Sequence, residues 1–259
     1  MKLRVFLFLL TAFFSAPLCA AEQTPVELEG VGIEEQLGKL LSTELSFFDE
    51  AGKEVWLKSY MDGQHPLILA FVYYECPNLC TFVLNALTDA LKDLSWTPGK
   101  EFQAVMVSIN PKETPELAAA KKASHLEALG KPTAASGWHF LTGEEIHIKA
   151  LADQAGFHYI YDPVEEQYAH AATLIILTPD GRISRYLYGI QYPPRDVKLA
   201  LLEATEGKIG NIIDRFMLFC YHYDPKGKKY ALMATRLMKG GAAVTVLVIL
   251  TFIFKLRRK

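Results

Sequence analysis

The stretch that most constrains the fold runs from Leu67 to Thr81, Leu-Ile-Leu-Ala-Phe-Val-Tyr-Tyr-Glu-Cys-Pro-Asn-Leu-Cys-Thr. Leu67 to Tyr73 is a short run rich in aromatic and branched residues, the pattern of a buried strand. Cys76 and Cys80 follow at once, and Pro77 between them suits the first turn of a helix, where its missing N–H costs nothing. A helix starting there sets the two sulfurs four residues apart, one turn along the same face. The exposed amides and positive dipole end of such a helix favour thiolate over thiol. Two adjacent thiolates can close into a disulfide, since residues one turn apart lie near the required ~5.5–6 Å Cα separation. They can equally hold a soft metal ion.

The two ends of the chain say where this stretch works. Lys2 and Arg4, the apolar run Val5 to Phe14, and then Pro17-Leu18-Cys19-Ala20-Ala21 form the layout of a secretory signal peptide, residues 1–20, cleaved after Ala20 or Ala21. Acylation of Cys19 as in a lipoprotein is disfavoured, because Leu18 is large where a small residue is wanted. An uncleaved anchor is disfavoured too, because the run is too short to span comfortably. Export leaves Cys76, Cys80 and Cys220 in an oxidising compartment, an odd count with one thiol lacking an intrachain partner. At the other end, Gly240 to Phe254 carries no charge. Residues 237–255, with the flanking lysine stems, approach the ~17–20 residues of a membrane span. The basic tail Lys255, Arg257, Arg258 and Lys259 puts the C-terminus in the cytoplasm by the positive-inside rule. The expected location is the bacterial inner membrane, single-pass, with the main domain in the periplasm. A formal net charge of −2 gives no basic face for nucleic acid.

About 180 residues remain between these ends, enough for one domain with a sizeable core. Ala21 to Gly38 reads as an extended lead-in. Leu45–Phe48 and Glu54–Leu57 flank Asp49-Glu50-Ala51-Gly52-Lys53 as a hairpin. A helix over 82–94, a strand over 102–109, a helix launched at Glu116, a short strand over 138–141 and a helix over 144–154 follow. Strands are expected at 157–161, 173–177 and 182–188, the last two joined by Pro179-Asp180-Gly181, then a helix from Pro194 to Ala204. Strand–helix–strand–helix ending in a hairpin and a helix describes a thioredoxin-like α/β fold, a three-layer sandwich with an N-terminal hairpin. The domain is expected over residues 21–205, with a juxtamembrane segment over 206–236, a transmembrane helix over 237–255 and a basic tail over 256–259.

Over Leu40 to Leu202 the chain resembles the Sco/SenC family, thioredoxin-like, membrane-anchored proteins that handle copper for cytochrome oxidase assembly. The resemblance rests on Cys76-Pro77-Asn78-Leu79-Cys80, Val107-Ser108-Ile109-Asn110-Pro111 with Thr114-Pro115-Glu116, Trp138-His139-Phe140-Leu141-Thr142-Gly143, and His170 ahead of a Leu-Thr-Pro-Asp-Gly hairpin. It implies that Cys76, Cys80 and His170 bind one copper ion, Cu(I) or Cu(II). It also implies a partner in the copper-bearing subunit of the oxidase, with other periplasmic copper chaperones or thioredoxin-like reductants as further contacts. The donor chemistry agrees: two thiolates and one imidazole are a soft, low-coordinate set that suits Cu(I). The other histidines before the juxtamembrane segment, His65, His125, His139, His147 and His158, show no paired spacing and read as surface or half-buried side chains.

Three departures from the family pattern stand out, one being that typical members are anchored at the N-terminus whereas this chain exchanges that anchor for a cleaved signal and a C-terminal span. Asn110-Pro111-Lys112-Glu113-Thr114-Pro115 is one residue shorter than the usual turn and lacks both of its aspartates, with Glu113 nearest to serving in their place. Ala169 stands before His170, where the family often has Asp. Beyond the family core, Cys220 and His222 in Phe219-Cys220-Tyr221-His222-Tyr223 are compatible with a second exposed metal site or with disulfide exchange with a partner. They are equally compatible with an aromatic element lying at the headgroup level.

Two functions remain. One is a metallochaperone that passes copper by ligand exchange to a respiratory oxidase. The other is a thiol–disulfide oxidoreductase in which Cys76 attacks and Cys80 resolves, keeping the oxidase copper-site cysteines reduced. The third soft donor, His170, favours copper, since thiol exchange has no need of it. A peroxidase is disfavoured by the lack of an arginine near the cysteine turn.

Overall fold

The computed structural model of the chain describes residues 30–75 and 79–210, with the short pieces 223–224, 229–230 and 245–246. The expected signal segment, Cys76, Cys220 and His222 lie outside these residues, as does the expected span apart from 245–246. Among the described residues no helix is long and apolar enough to cross a membrane.

In chain order the first elements are β1 (Gly32–Ile33), β2 (Ser46–Phe48), β3 (Glu54–Trp56), β4 (Leu67–Val72), α1 (Leu79–Asp93), β5 (Gln103–Ser108), α2 (Pro115–Leu129) and β6 (Trp138–Leu141). Then come α3 (Glu145–Gln154), β7 (Phe157–His158), β8 (Ile160–Asp162), β9 (Gln167–Ala169), β10 (Thr173–Leu177), β11 (Ile183–Tyr188) and α4 (Pro194–Thr205). Five strands form one mixed sheet in the order β11-β10-β4-β5-β6. β4, β5 and β6 are parallel, whereas β10 runs antiparallel to both β4 and β11. All six residues of β4 and all five of β10 are buried, as their unbroken apolar runs require of central strands covered on both sides.

Strand alternation assigns the two faces. Trp138 and Phe140 meet the ring of His125 on α2. The parallel register puts Ala104, Met106 and Ala70 on that same side. The residues between them turn the other way: Phe71 stacks on Phe157, 4.7 Å between centroids, and His139 meets Tyr60 at 4.3 Å. Helices α1, α2 and α4 pack on one face, with α1 against both of the others. α3 with β7 covers the opposite face. The result is the expected three-layer, thioredoxin-like arrangement.

The helix ends follow from local chemistry. Thr114 caps α2 by accepting the Leu117 N–H, Pro115 fills the first helical position, and Gly130 closes the helix at a φ of 70°. Lys131 Nζ donates to the carbonyls of Leu91 and Leu94 at the end of α1, where a cation is favoured. The N-terminal hairpin, β2 with β3, docks on the sheet edge through reciprocal bonds between Phe48 and Thr142. Glu50 in its turn accepts from Phe140 N at 2.8 Å and from Lys122 at 2.9 Å.

Three expectations need correction. The single strand expected over 157–161 is two: β7 pairs with β1, while β8 pairs with β9 as a separate hairpin. The lead-in therefore carries a strand of its own. His125 is not a surface residue but lies buried in the core.

His125 also sets a pH dependence. Its Nδ1 lies 2.9 Å from Thr88 Oγ1, and Thr88 donates its own proton to the Leu84 carbonyl. The imidazole must then be the donor, in its neutral Nδ1–H form. Burial, with Lys121 nearby, pushes the His125 pKa down to about 4, and burial with Lys122 does the same to His139. The folded chain then holds fewer protons than the unfolded one between about pH 6.5 and pH 4. Stability present above that window is lost as pH falls through it, by up to about 3 kcal/mol for each histidine. Urea unfolding midpoints should drop accordingly across this range. His125→Asn, which keeps a donor toward Thr88, should show a shallower pH slope.

Candidate functional site

The cysteine turn leaves the sheet at the end of β4 and is anchored before it reaches Cys76. Ile109 N donates to the Val72 carbonyl at 2.7 Å, holding the ends of β4 and β5 together. Tyr74 is buried, and its hydroxyl donates to the carbonyls of Met106 and Leu141 at 3.0 and 2.8 Å. One phenol thus links the turn to the ends of two neighbouring strands. Burial raises its pKa well above the usual phenol range, so it stays a donor. Cys80 occupies the second position of α1, whose first turn has no acidic residue to oppose a thiolate.

His170 lies in the link between β9 and β10, only 7% exposed. Because β10 is antiparallel to β4, Ile175 pairs with Leu69 and Leu177 with Leu67. The start of β10 therefore sits at the end of β4 from which the cysteine turn departs. The His170 ring packs edge-on to Tyr73, centroids 6.2 Å apart, and tilts on Phe157 at 6.0 Å. Tyr73 precedes Cys76 by three residues. The Nδ1 of His170 is 2.9 Å from the Ala171 carbonyl. A carbonyl only accepts, so Nδ1 carries the proton, and in the neutral ring Nε2 is the atom with the lone pair. That is the tautomer in which a histidine binds a metal through Nε2 with its other nitrogen held by an outer partner.

Tyr73 continues into an aromatic cluster: it meets Tyr168 at 5.6 Å, and Tyr168 meets Tyr159 and Tyr161 at 5.9 and 5.0 Å. Burial pushes the Tyr159 pKa up to about 12, and burial raises that of Tyr168, so both remain neutral phenols. Tyr73, Glu75, Asn110, Lys112, Tyr161 and Tyr168 contribute to a cleft of about 350 Å³ beside the turn.

The residue nearest to the family's missing aspartates is drawn into the site's framework. Glu113, in the loop between β5 and α2, is 7% exposed and reaches back to the turn, accepting the Glu75 N–H at 2.8 Å and the Ser108 hydroxyl at 2.5 Å. Burial raises its pKa, against the pull of these hydrogen bonds. The remaining histidines stand apart: His65 bonds Asp62, His158 is 3.8 Å from Glu34, and His125 and His139 belong to the core layers. Ala169 ends β9 without a polar side chain. Among the described residues, which exclude Cys76, no group of three His, Cys, Asp or Glu is placed to hold a metal ion.

A family model described as SCO1/SenC matches residues 34–204. The chain belongs to the SCO1/SenC family. A search of curated protein sequences gave no match. Among solved structures, a candidate electron transfer protein from Aquifex aeolicus VF5 is similar at 23% identity. That alignment covers 67% of this chain and 96% of that one, with a TM-score of 0.59. BsSco, described as a member of the Sco family of cytochrome c oxidase assembly proteins in which a disulfide switch was identified, aligns at 21% identity. It covers 68% of this chain and 99% of that one, with a TM-score of 0.53. Copper-bound yeast Sco1 aligns at 18% identity over 69% and 94%, with a TM-score of 0.50. These likenesses show that the SCO1/SenC chain shares the fold of those proteins.

The Tyr74 anchor can be checked. Tyr74→Phe removes one buried hydroxyl proton shared between two carbonyls, with no change of shape, and should cost about 1–3 kcal/mol. Denaturant titration at neutral pH measures this.

Proposed function

We propose that this SCO1/SenC protein is a membrane-tethered copper-binding protein of the bacterial periplasm. Its cargo is copper for the copper centre of a respiratory cytochrome oxidase, and its ligands are Cys76, Cys80 and His170. The observation that carries the reading is the state of His170: a buried imidazole, fixed by its Nδ1–H on the Ala171 carbonyl and packed on Tyr73 at the head of the cysteine turn. An imidazole prepared in this way, beside a Cys-x-x-x-Cys at a strand–helix junction, completes a soft donor set fit for Cu(I). The copper bound to yeast Sco1 and the oxidase-assembly role attached to the Sco family in the description of BsSco agree with this reading. The copper-bearing oxidase subunit is the proposed acceptor, with periplasmic copper chaperones or thioredoxin-like reductants as further partners. The signal segment supplies the proposed export, and the span over 237–255 the proposed tether.

A second reading draws on Cys80 in the first turn of α1, where a dipole favours thiolate. On that reading Cys76 and Cys80 reduce a cysteine pair of the oxidase. The dithiol gives up two electrons and two protons as it closes to a disulfide, and the partner disulfide becomes two thiols.

His170→Ala separates the two. Loss of an outer partner alone costs about 10–100-fold in metal affinity. Loss of the ligand itself should therefore weaken Cu(I) binding by at least about 100-fold, measured by chelator competition under reducing conditions, with dithiol oxidation intact. Unchanged copper affinity with lost disulfide exchange would replace the first reading by the second.

A further inference from the structure

Glu113 has no evident reason to be buried in a loop. A carboxyl group placed out of water is costly unless it is hydrogen-bonded, and in this one burial does raise the pKa. The charge facing it in that environment is another acid, Glu75, whose field adds to the cost. What it gains is a set of donors from two sides. On the near side, Ser108 donates its hydroxyl to Oε2 at 2.5 Å, and the loop is stiffened where Asn110 accepts the Glu113 N–H at 3.1 Å and the Lys112 N–H through Oδ1 at 3.1 Å. On the far side, Oε1 accepts the Glu75 N–H at 2.8 Å. Glu75 is the residue directly before Cys76. The loop after β5 is thereby fastened to the backbone from which the cysteine turn springs. Fixing that backbone is a means of holding neighbouring donors in register before an ion arrives, so that less ordering remains to oppose binding.

We infer that Glu113 is a positioning residue for the Cys76–Cys80 pair: its carboxylate, held by Ser108, clamps the Glu75 amide and so presets the backbone that presents the two sulfurs. The inference rests on the ligand set proposed above for the copper reading, but its mechanical part is independent of copper. It acts through hydrogen-bond geometry, not through charge. Glu113→Gln can keep an acceptor toward the Glu75 amide and should behave nearly as wild type. Glu113→Ala and Glu113→Asp should both release the clamp, the second because a side chain one methylene shorter cannot span Ser108 and Glu75 together.

The test uses the full-length chain with three readouts: hydrogen exchange at the Glu75 amide, the dithiol–disulfide equilibrium constant of the Cys76–Cys80 pair against a glutathione buffer, and Cu(I) affinity by chelator competition. For Glu113→Ala, Glu75 exchange should quicken about tenfold, in line with the loss of one intramolecular hydrogen bond. The dithiol equilibrium should shift by about tenfold, which corresponds to about 30 mV, and Cu(I) affinity should fall by about 10–100-fold, the usual scale for an outer-shell partner. A Glu113→Ala chain that folds, exchanges faster at Glu75 and yet keeps both the dithiol equilibrium and the copper affinity within twofold of wild type overturns the inference. So does a Glu113→Gln chain as impaired as Glu113→Ala, since charge would then be the agent. If Glu113→Ala fails to fold, Glu113→Asp is judged by the same criteria. If the wild-type chain binds no Cu(I), the copper reading fails, while the exchange and dithiol readouts still decide the clamp.

Discussion

Because β10 runs antiparallel to β4, a residue just ahead of one strand comes to lie beside a residue just past the end of the other. Everything distinctive about this molecule's candidate site depends on that pairing. Tyr73 and His170 are separated by nearly one hundred positions in the chain, yet their rings meet at 6.2 Å. A parallel β10 would have carried His170 to the opposite edge of the sheet. The pairing joins two strands covered on both sides: Leu67 to Leu69 and Ile175 to Leu177 are wholly inside. The hydrophobic core and the site are in this sense one construction, since the same buried strands that exclude water also bring their ends together.

Around that alignment the fold adds bonds from buried polar groups, each fixing one piece of backbone near the turn. Tyr74 links the turn to the ends of β5 and β6, the Val72 carbonyl takes the Ile109 amide, and Glu113 takes the amide of Glu75. Such groups are expensive to bury and are retained where they are fully bonded. Their concentration at the carboxyl ends of β4, β5 and β6 is a reason to regard that end as functional. Elsewhere buried polar groups bond the sheet more sparsely: Tyr186 donates to the Ala155 carbonyl at 2.8 Å, Glu50 takes the Phe140 amide, and His125 pairs with Thr88. That pair is distant from the turn, and its consequence is acid sensitivity.

Much of this was legible from the residues. β10 begins and ends where Thr173 and Leu177 suggest, the hairpin over 46–56 follows ordinary turn chemistry, and the helix expected from Glu116 starts one residue earlier at Pro115. The misreadings have physical causes. Residues 157–161 alternate as one strand would, but Gly156 lets the chain turn back to pair Phe157 with Ile33, and the next residues peel away as β8. The turn from β8 to β9 places Glu166 at a φ of 51°, a conformation its side chain does not advertise. The buried face of α2 is marked by Ala118, His125 and Leu129, too small and too polar a set to signal burial of a histidine. Glu113 was legible only as a stand-in for the family's missing aspartates; the partner that makes it structural is a backbone amide 38 residues earlier, which no local pattern can reveal.

The division of labour between the elements also bears on what the site can do. Under the proposed function, two donors stand on the turn and first turn of α1 and the third on a link between strands. No single rigid element then owns the whole donor set. A protein that must later release its ion gains from this, because ligand exchange proceeds one donor at a time and a donor on a separate link can leave without unfolding a helix. The Nδ1–H bond to Ala171 works in the same direction. It orders His170 through a neighbour in sequence, so the imidazole keeps its tautomer when the metal departs. A closed four-ligand structural site, held for stability, would be expected to draw its donors from elements that fold around the metal. Here the sheet has a core closed by apolar burial, and His170 sits in a link at the end of its central strands.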